Sequence, residues 1–446
     1  MTLPDFQGRT PRPTPEADLS ARPLPGLFDK ARAFLAPGGD YTTIKEAGLY
    51  PYFRPLSKSE GTRAKVGEHE VVMAGSNNYL GLTSDPRVQE AAQEAIRVYG
   101  TGCTGSRFLN GTLDLHLELE EQLAAFMGKE SCVLFSTGYM TNQGVLQALA
   151  GKGDLIFSDK DNHACIVAGN QVSLADVVRY RHDDMAHLRT QLERASERKP
   201  DAGKIIVTDG VFSMSGTIAK VPELVELAET HGAALFLDDA HAVGVIGPGG
   251  RGSAAEFGLT DRVHLTTGTF SKSFASLGGF VVGDHVAMEY VRHMASTHVY
   301  SASMPPANVA TVLKALEILQ QEPERLTRLA EIADFMRAGF RHLGFDVWTS
   351  QSPIIPVVIG DMRTCFAFWT DLLEAGVFVN AVVPPAVPRG QALMRTSYMA
   401  THSDEELQHI LDAFQQVGLK HGVITKDGKP GPALQQNGHQ NGGGFF

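Results

Sequence analysis

Short apolar runs recur through the middle of the chain, and stretches with helical periodicity separate them. The apolar runs cover residues 132–135, 155–157, 205–207, 234–237 and 280–282. Continuous apolar runs of this length are typical of strands that are buried on both faces. The helical patterns cover residues 114–127, 185–195 and 222–232, and Gly128 and Gly232 are plausible helix ends. This alternation predicts an α/β fold with a mainly parallel sheet covered by helices.

The pattern changes after Pro305 and Pro306. A long helical region at 307–343 is followed by a strand at 354–359, a helix at 365–374, an apolar run at 393–398 and a helix at 404–417. We therefore expect an N-terminal arm at 26–74, a large domain at 75–304 and a smaller α+β domain at 305–425. Residues 1–25 are rich in proline, and residues 426–446 are rich in Gly, Asn and Gln, so both segments are expected to be disordered.

Composition excludes several classes of function. Hydrophobic residues make up 43% and charged residues 20% of the 446 residues, which is ordinary for a globular protein. The net charge of -11 provides no basic field for nucleic acid. The four cysteines form no C-x-x-C pair, so neither a zinc knuckle nor a disulfide framework is indicated. We expect a cytoplasmic protein with no signal peptide and no spanning segment, and peripheral membrane contact stays open.

Residues with useful chemistry follow several of the predicted strands. Ligands of open α/β sheets bind beyond the carboxyl ends of the strands, where these residues would meet. Asp238 ends the fourth run, and a buried carboxylate there needs a cationic partner such as a protonated pyridine nitrogen. Taken alone, an Asp-Asp pair more often caps the next helix.

Lys272 lies among hydroxyl-bearing and small residues, with no other cation nearby in the sequence. Partial desolvation there favours a neutral amine and imine formation, although a single lysine is more often a solvated surface group. Thr269 and Ser271 offer hydroxyl groups to a phosphate. The segment by itself supports both interpretations equally.

Three further segments supply weaker signals. The turn at 136–144, which contains Gly138 and Tyr139, leads into a helix whose backbone N–H groups suit a phosphate, but ordinary turns look the same. His163 can stack on a planar ring, although a packed histidine is more common. Ser213 is expected at the same sheet edge. Together these segments match the requirements of pyridoxal 5'-phosphate.

The motifs at these positions resemble those of one family. They are S-N-N-Y-L-G-L at 76–82, G-T-G-C-T-G-S-R at 100–107, G-T at 111–112, D-G-V-F-S-M at 209–214, D-D-A-H at 238–241 and G-T-F-S-K at 268–272. Over residues 48–422 the chain resembles the α-oxoamine synthases, which are fold-type-I pyridoxal-phosphate enzymes. The resemblance implies a seven-stranded sheet in the large domain and a C-acyltransferase activity.

The resemblance also implies a role for each matching residue. Lys272 would form the Schiff base and transfer protons, Asp238 would pair with the pyridinium nitrogen, His163 would stack on the ring, and His241 and Ser213 would lie near the ring hydroxyl. The phosphate would be held by Gly138, Tyr139, Thr269 and Ser271. The family forms homodimers with active sites at the interface, so residues 26–74 would contact the partner, and Ser301 and Ala302 would reach the partner's phosphate.

Within the family, the chain most resembles the bacterial serine palmitoyltransferase branch, through G-L-Y-P-Y-F at 48–53 and P-P-A-V-P at 384–388. This implies that Arg395, assisted by Asn78, binds the substrate carboxylate. The substrates would be L-serine and palmitoyl-CoA, and the product 3-ketodihydrosphingosine. Val387 departs from the threonine of one well-known group, and residues 77–79 also resemble glycine-using relatives.

Other functions stay open at this point. Glycine with acetyl-CoA, or alanine with a pimeloyl thioester, would use the same cofactor. A catalytically silent partner subunit would be expected to lack Lys272, and a simple aminotransferase would not be expected to carry this density of synthase motifs.

Overall fold

The computed structural model describes residues 25–435, which fall into two compact units that divide between Tyr52 and Phe53. The first unit contains a 3-10 turn at Gly26–Phe28 and two short helices, α1 (Asp29–Phe34) and α2 (Asp40–Glu46). Within this unit the rings of Phe34 and Tyr41 stack with centroids 4.5 Å apart. Of the segments predicted to be disordered, residues 1–24 and 436–446 lie outside the described residues.

The second unit contains all fourteen of the described strands and the remaining helices. The strands are β1 (Leu56–Glu60), β2 (Arg63–Val66), β3 (His69–Met73), β4 (Ser131–Phe135), β5 (Leu155–Asp159), β6 (Asp176–Tyr180), β7 (Lys204–Asp209), β8 (Ala234–Asp238), β9 (Leu265–Thr269), β10 (Gly279–Gly283), β11 (Ile354–Gly360), β12 (Val377–Phe378), β13 (Asn380–Val382) and β14 (Ala392–Ser397).

The helices of this unit are α3 (Pro86–Tyr99), α4 (Asp114–Met127), α5 (Gly138–Leu149), α6 (Ala164–Val172), α7 (Met185–Arg198), α8 (Val221–His231), α9 (Ser253–Glu256), α10 (His285–Met294), α11 (Ser296–Val299), α12 (Pro306–Gln321), α13 (Glu324–His342), α14 (Met362–Glu374), α15 (Asp404–Lys420) and α16 (Pro432–Gln435). Short 3-10 turns occur at Leu82–Ser84, Pro248–Gly250 and Thr260–Arg262. Gly128 and Gly232 end α4 and α8 in the left-handed conformation, with φ of 65° and 60°, which confirms both predicted helix ends.

A seven-stranded sheet forms the centre of the second unit, in the order β4-β10-β9-β8-β7-β5-β6. The pairs from β9 to β6 are parallel, whereas β10 is antiparallel to both β4 and β9. In the parallel register Asp209 lies opposite Asp238, and Asp238 lies opposite Thr267. Parallel pairing therefore brings the polar carboxyl ends of these strands to one edge, as the α/β prediction required.

Two strands of this sheet, β6 and β9, were not predicted from the sequence. The edge strand β6 leaves most of its residues exposed or half-buried, and Val177 is among the exposed ones, so it forms no continuous apolar run. Strand β9 has the sequence L-T-T-G-T, and its buried threonines hide it from an apolar pattern. Hydroxyl side chains that are hydrogen-bonded or packed in a sheet carry no apolar signal, although Thr is a good strand former.

Two smaller sheets complete the fold, in the orders β1-β2-β3-β12 and β11-β14-β13. Strand β12 pairs in parallel with β3, so the strands β1 to β3 share a sheet with a strand that follows them by about 300 residues in the chain. The predicted helical region 307–343 is two helices, α12 and α13. Val309 and Leu316 of α12 belong to the same hydrophobic cluster as Leu134 and Phe280 of the central sheet, and α12 packs mainly against α3 and α4.

Part of the C-terminal segment that the sequence predicts to be disordered makes backbone contacts: the Gly431 N–H donates to the Val423 carbonyl at 2.8 Å, and Ile424 forms a β-bridge with Pro430. Within residues 25–435, no helix is both long enough and apolar enough to cross a bilayer.

Candidate active site

The N-terminus of α5 forms a cradle suited to an anion. Thr137 precedes the helix, and its hydroxyl accepts a hydrogen bond from the Met140 N–H at 3.1 Å. The first N–H groups of the helix, at Gly138 and Tyr139, therefore lie at the positive end of the helix dipole. A Cβ on Gly138 would lie 2.8 Å from the Cβ of Thr269, so only glycine allows this close approach between α5 and β9.

Hydroxyl groups from the end of β9 line the same cradle. The Thr269 and Ser271 hydroxyls lie 3.0 Å apart, and Thr269 also donates to the Gly278 carbonyl at 3.0 Å. The four residues predicted to hold the phosphate therefore lie together at the N-terminus of α5: Gly138, Tyr139, Thr269 and Ser271.

A cavity of about 280 Å³ extends from this cradle along the carboxyl edge of the sheet. Its lining includes eight residues that the sequence analysis selected: Gly138, Tyr139, His163, Asp238, His241, Thr269, Ser271 and Lys272. Ligand sites are typically cavities of this kind, with a few convergent polar groups. We take this cavity as the candidate active site.

Lys272 is desolvated at the cavity wall. Burial lowers the pKa of Lys272 to about 8, although the negative charge of Asp238 acts in the opposite direction. The positive charge of Arg395 lowers the same pKa further. The neutral amine, which is the form that attacks a carbonyl carbon, is therefore a minority near physiological pH, but a far larger one than at an ordinary lysine.

Asp238 ends β8 and is almost fully buried, with 4% of its surface exposed. Its Oδ1 accepts from the Ala240 N–H at 3.0 Å, and its Oδ2 accepts from the Asn142 side-chain amide at 2.8 Å. The neighbouring carboxyl group of Asp209 is also buried, and burial together with the charge of Asp238 raises the pKa of Asp209 well above its usual value. Two adjacent buried acids do not both ionise readily, and the raised pKa favours the neutral form of Asp209.

His163 caps the N-terminus of α6 and borders the cavity. Its Nδ1 accepts from the Cys165 N–H at 3.2 Å and lies 2.8 Å from the Cys165 Sγ. Desolvation lowers the pKa of His163, although Asp238 acts in the opposite direction. An uncharged imidazole at this position suits stacking on a planar ring.

His241 contacts Tyr79, a residue that the sequence analysis quoted in a motif without giving it a role. The Tyr79 hydroxyl lies 2.7 Å from the His241 Nδ1. Burial raises the pKa of Tyr79 to about 12, and burial with the charges of Lys272 and Arg395 places the pKa of His241 well below its usual value. Both side chains are therefore neutral at physiological pH.

Arg395 is buried in the middle of β14 and is held in a fixed orientation. Its Nε donates to the Ser213 carbonyl at 2.6 Å, and its Nη1 and Nη2 both lie 3.1 Å from the Asn77 Oδ1. Ser213 contributes its backbone carbonyl to this contact. The Asn78 amide turns away and donates to Thr83 at 2.8 Å. The structure thus places Asn77 on the arginine, and nothing in the sequence distinguishes the two adjacent asparagines.

Ser301 and Ala302 lie apart from this cavity. They line a separate recess of about 10 Å³, together with Arg107 and His298. The Ser136 hydroxyl, next to the cradle, donates to the Ala302 carbonyl. These two residues therefore do not join the others within a single chain.

The residues of the cavity fit pyridoxal 5'-phosphate. The glycine-lined helix end with two hydroxyls suits a dianionic phosphate, the desolvated lysine suits an aldehyde, and the oriented carboxylate of Asp238 suits a protonated ring nitrogen. The cradle at Gly138 and the carboxylate of Asp238 are linked through α5, because Asn142 lies one turn after Gly138 in that helix.

Comparison with known proteins agrees with this site. The family model described as aminotransferase class I and II matches residues 69–414. The chain belongs to this family. A serine palmitoyltransferase from Sphingobacterium spiritivorum is 47% identical over 381 residues, which cover 84% of this chain and 95% of the relative. An 8-amino-7-oxononanoate synthase from Symbiobacterium thermophilum is 42% identical over 381 residues, 85% of this chain and 97% of the relative.

The solved structures agree as well. A serine palmitoyltransferase from S. paucimobilis, with bound PLP–myriocin aldimine, superimposes with a TM-score of 0.85 at 36% identity, over 90% of this chain and 100% of that one. The fold is that of fold-type-I transferases, and within the family the chain is an α-oxoamine synthase, as the motifs predicted. It is a pyridoxal-phosphate-dependent C-acyltransferase.

Proposed function

We propose that the chain condenses L-serine with palmitoyl-CoA and releases carbon dioxide, free CoA and 3-ketodihydrosphingosine. The observation that carries this proposal is the single cavity in which Lys272, with a pKa of about 8, meets Asp238 and His163. Arg395 is near enough for its charge to lower the pKa of Lys272. The similarity to serine palmitoyltransferases supports serine as the amino acid.

Each residue has a distinct task in this reaction. Pyridoxal phosphate, when bound, supplies an electron sink that stabilises negative charge at the α-carbon of the amino acid. Arg395, fixed by Asn77 and Ser213, binds the substrate carboxylate through its remaining N–H groups, for which a planar guanidinium is well suited. Lys272 takes the α-proton on its Nζ. Its lowered pKa allows the neutral amine to act as the base near physiological pH.

The surrounding groups hold the cofactor. Gly138, Tyr139, Thr269 and Ser271 would bind its phosphate, His163 would pack against its ring, and Asp238 would keep the ring nitrogen protonated. The neutral His241 and the Tyr79 hydroxyl behind it would lie near the ring hydroxyl. Relative to the sequence analysis, this proposal replaces Asn78 by Asn77 beside the carboxylate.

We also propose that the enzyme is a homodimer in which Ser301 and Ala302 complete the partner's phosphate site. Their position outside the cavity supports this arrangement, as does the exposure of Tyr300 beside them, at 86% of its surface. Sedimentation of the purified protein would measure the mass, and a monomer with full activity would contradict the proposal. A cytoplasmic location and peripheral membrane contact stay predictions.

A substrate panel tests the proposed reaction. Purified holoenzyme would be incubated with L-serine, glycine or L-alanine, each with palmitoyl-CoA, acetyl-CoA or a pimeloyl thioester, and the products would be weighed by mass spectrometry. The proposal expects the largest turnover for L-serine with palmitoyl-CoA. Preferred use of alanine and the pimeloyl thioester would instead assign an 8-amino-7-oxononanoate synthase, and preferred use of glycine and acetyl-CoA a 2-amino-3-ketobutyrate-forming enzyme.

The lysine is tested separately. Lys272→Ala should lose the absorbance band of the lysine-linked cofactor and all turnover. Lys220→Ala is a matched control, since Lys220 forms a surface ion pair with Asp183 and does not line the cavity. Unchanged absorbance and turnover in Lys272→Ala would refute the assignment of the site.

A further inference from the structure

Asn142 is a buried side chain of α5 that has no role in the function proposed above. Its surface is 2% exposed, and its Nδ2 donates to the Asp238 Oδ2 at 2.8 Å. The same nitrogen lies 3.3 Å from the Cys165 Sγ and 3.4 Å from the Gly138 carbonyl. The Thr267 hydroxyl lies 3.5 Å from the Asn142 Oδ1. These contacts orient the amide with its N–H groups toward the carboxylate.

The carboxylate of Asp238 is held from two directions. The Ala240 N–H binds Oδ1, and Asn142 binds Oδ2 together with a longer contact of 3.6 Å from the Cys165 thiol. Donors on both oxygens fix the plane of a carboxylate, whereas one donor would leave it free to rotate about its Cβ–Cγ bond. Because Asn142 is neutral, it orients Asp238 without neutralising its charge.

Asn142 also connects the two ends of the cavity. It lies one turn after Gly138 in the helix whose first N–H groups form the anion cradle. The helix that would hold the phosphate therefore carries the side chain that fixes the carboxylate at the far end. A shift of α5 would move both contacts together.

We propose that Asn142 is a positioning residue that holds the Asp238 carboxylate toward the ring nitrogen of the cofactor. This inference rests on the proposed role of Asp238. Without Asn142, the carboxylate loses a charge-assisted hydrogen bond and its fixed orientation. Such a bond is worth a factor of about 10 to 100 in an equilibrium constant. The affinity of the apoenzyme for pyridoxal phosphate should fall by that factor.

Two variants and a control test the inference. Asn142→Ala removes the donor, and Asn142→Asp keeps the side-chain volume but places a carboxylate oxygen against Asp238. Asn170→Ala is the matched control, because Asn170 is a buried asparagine of the adjacent α6 that donates to Ser158 and not to Asp238. Apoenzyme would be titrated with pyridoxal phosphate while the cofactor absorbance is followed, and thermal unfolding of each apoenzyme would be measured.

The expected result is weaker cofactor binding in both Asn142 variants, with a changed pH dependence of the cofactor absorbance, and binding like that of the wild type in Asn170→Ala. If Asn142→Ala fails to fold, Asn142→Asp is measured in its place, because its side chain has nearly the same volume as that of asparagine. Cofactor affinity and spectrum equal to those of the wild type in a folded Asn142 variant would overturn the inference.

Combining these variants with Asp238→Asn separates a positioning role from a structural one. If Asn142 acts through Asp238, then Asn142→Ala causes no further loss of affinity once Asp238→Asn is present. A further loss equal to that in the wild-type background would overturn the inference. If Asp238→Asn alone leaves cofactor affinity unchanged, the proposed role of Asp238 has failed; a loss in Asp238→Asn without one in Asn142→Ala defeats only the positioning role.

Discussion

Replacement of Arg395 by lysine should cost the enzyme its recognition of the substrate carboxylate while the positive charge is kept. Arg395 is 5% exposed, and it makes three fixed hydrogen bonds, one to the Ser213 carbonyl and two to the Asn77 Oδ1. A lysine ammonium is a compact charge that lacks the planar fork, so it does not reproduce these bonds and the contact with a carboxylate together.

The size of the effect follows from these contacts. Loss of one charge-assisted hydrogen bond to the carboxylate costs about 1.5–3 kcal/mol, which weakens L-serine binding by about 10- to 100-fold. The Ser213 carbonyl and the Asn77 amide oxygen also lose their donors in a buried environment. The free energy of unfolding should therefore fall by about 1–3 kcal/mol.

The assay compares two amines that differ only in the carboxylate. The cofactor absorbance of the holoenzyme would be titrated with L-serine and with ethanolamine, which keeps the amine and hydroxyl groups but lacks the carboxylate. The wild type should prefer L-serine, and Arg395→Lys should lose that preference without weaker ethanolamine binding. Arg337→Lys is a matched control, since Arg337 is largely buried and donates to the Ser352 carbonyl, and its charge, unlike that of Arg395, does not act on Lys272. An unchanged preference for L-serine in Arg395→Lys would refute the role of Arg395.

Three further predictions concern other parts of the molecule. The rate at which apoenzyme captures pyridoxal phosphate should rise with pH around a midpoint of about 8, because only the neutral Lys272 amine attacks; a midpoint near 10.5 in stopped-flow absorbance would contradict this. Gly138→Ala should weaken cofactor binding at least 10-fold in an equilibrium titration, because its Cβ would lie 2.8 Å from the Thr269 Cβ; unchanged affinity would show that the cradle tolerates the methyl group. Glu120→Gln should lower the free energy of unfolding by about 3–5 kcal/mol at neutral pH, because Arg107 would stay buried without its charged partner. Urea denaturation measures this loss, and a loss below about 1 kcal/mol would mean that the ion pair is solvated.

The stabilisation by the Glu120–Arg107 ion pair depends on pH, and the sign of that dependence follows from the structure. Burial by itself raises the pKa of Glu120, but the charges of Arg107 and Arg292, with hydrogen bonds from Arg107 and the Leu134 N–H, outweigh it and hold that pKa below 4.5. The ion pair therefore contributes stability above pH 4.5, and that contribution is lost as the pH falls through the lower pKa of the folded state. Stability curves of the wild type and Glu120→Gln should converge on acidification.

Five of the seven strands of the central sheet were readable from the sequence, because strands buried on both faces are continuously apolar. The runs ending at Phe135 and Leu237 each matched a strand to within one residue at either end. The antiparallel direction of β10 was not readable, since an apolar strand pairs equally well in either direction and only its tertiary position decides. Packing also decides what α12 contacts, because its apolar residues join a hydrophobic cluster that includes residues of the central sheet.

The same division holds for the candidate site. Residue chemistry at the strand ends selected Lys272, Asp238 and His163, because polar groups at the carboxyl edge of a buried sheet need a ligand or partner there. Only the folded chain decided that Asn77, and not Asn78, contacts Arg395, since adjacent residues of one type differ only in the direction of their side chains. Sequence thus determined which chemical groups reach the edge of the sheet, and tertiary packing determined which of them touch.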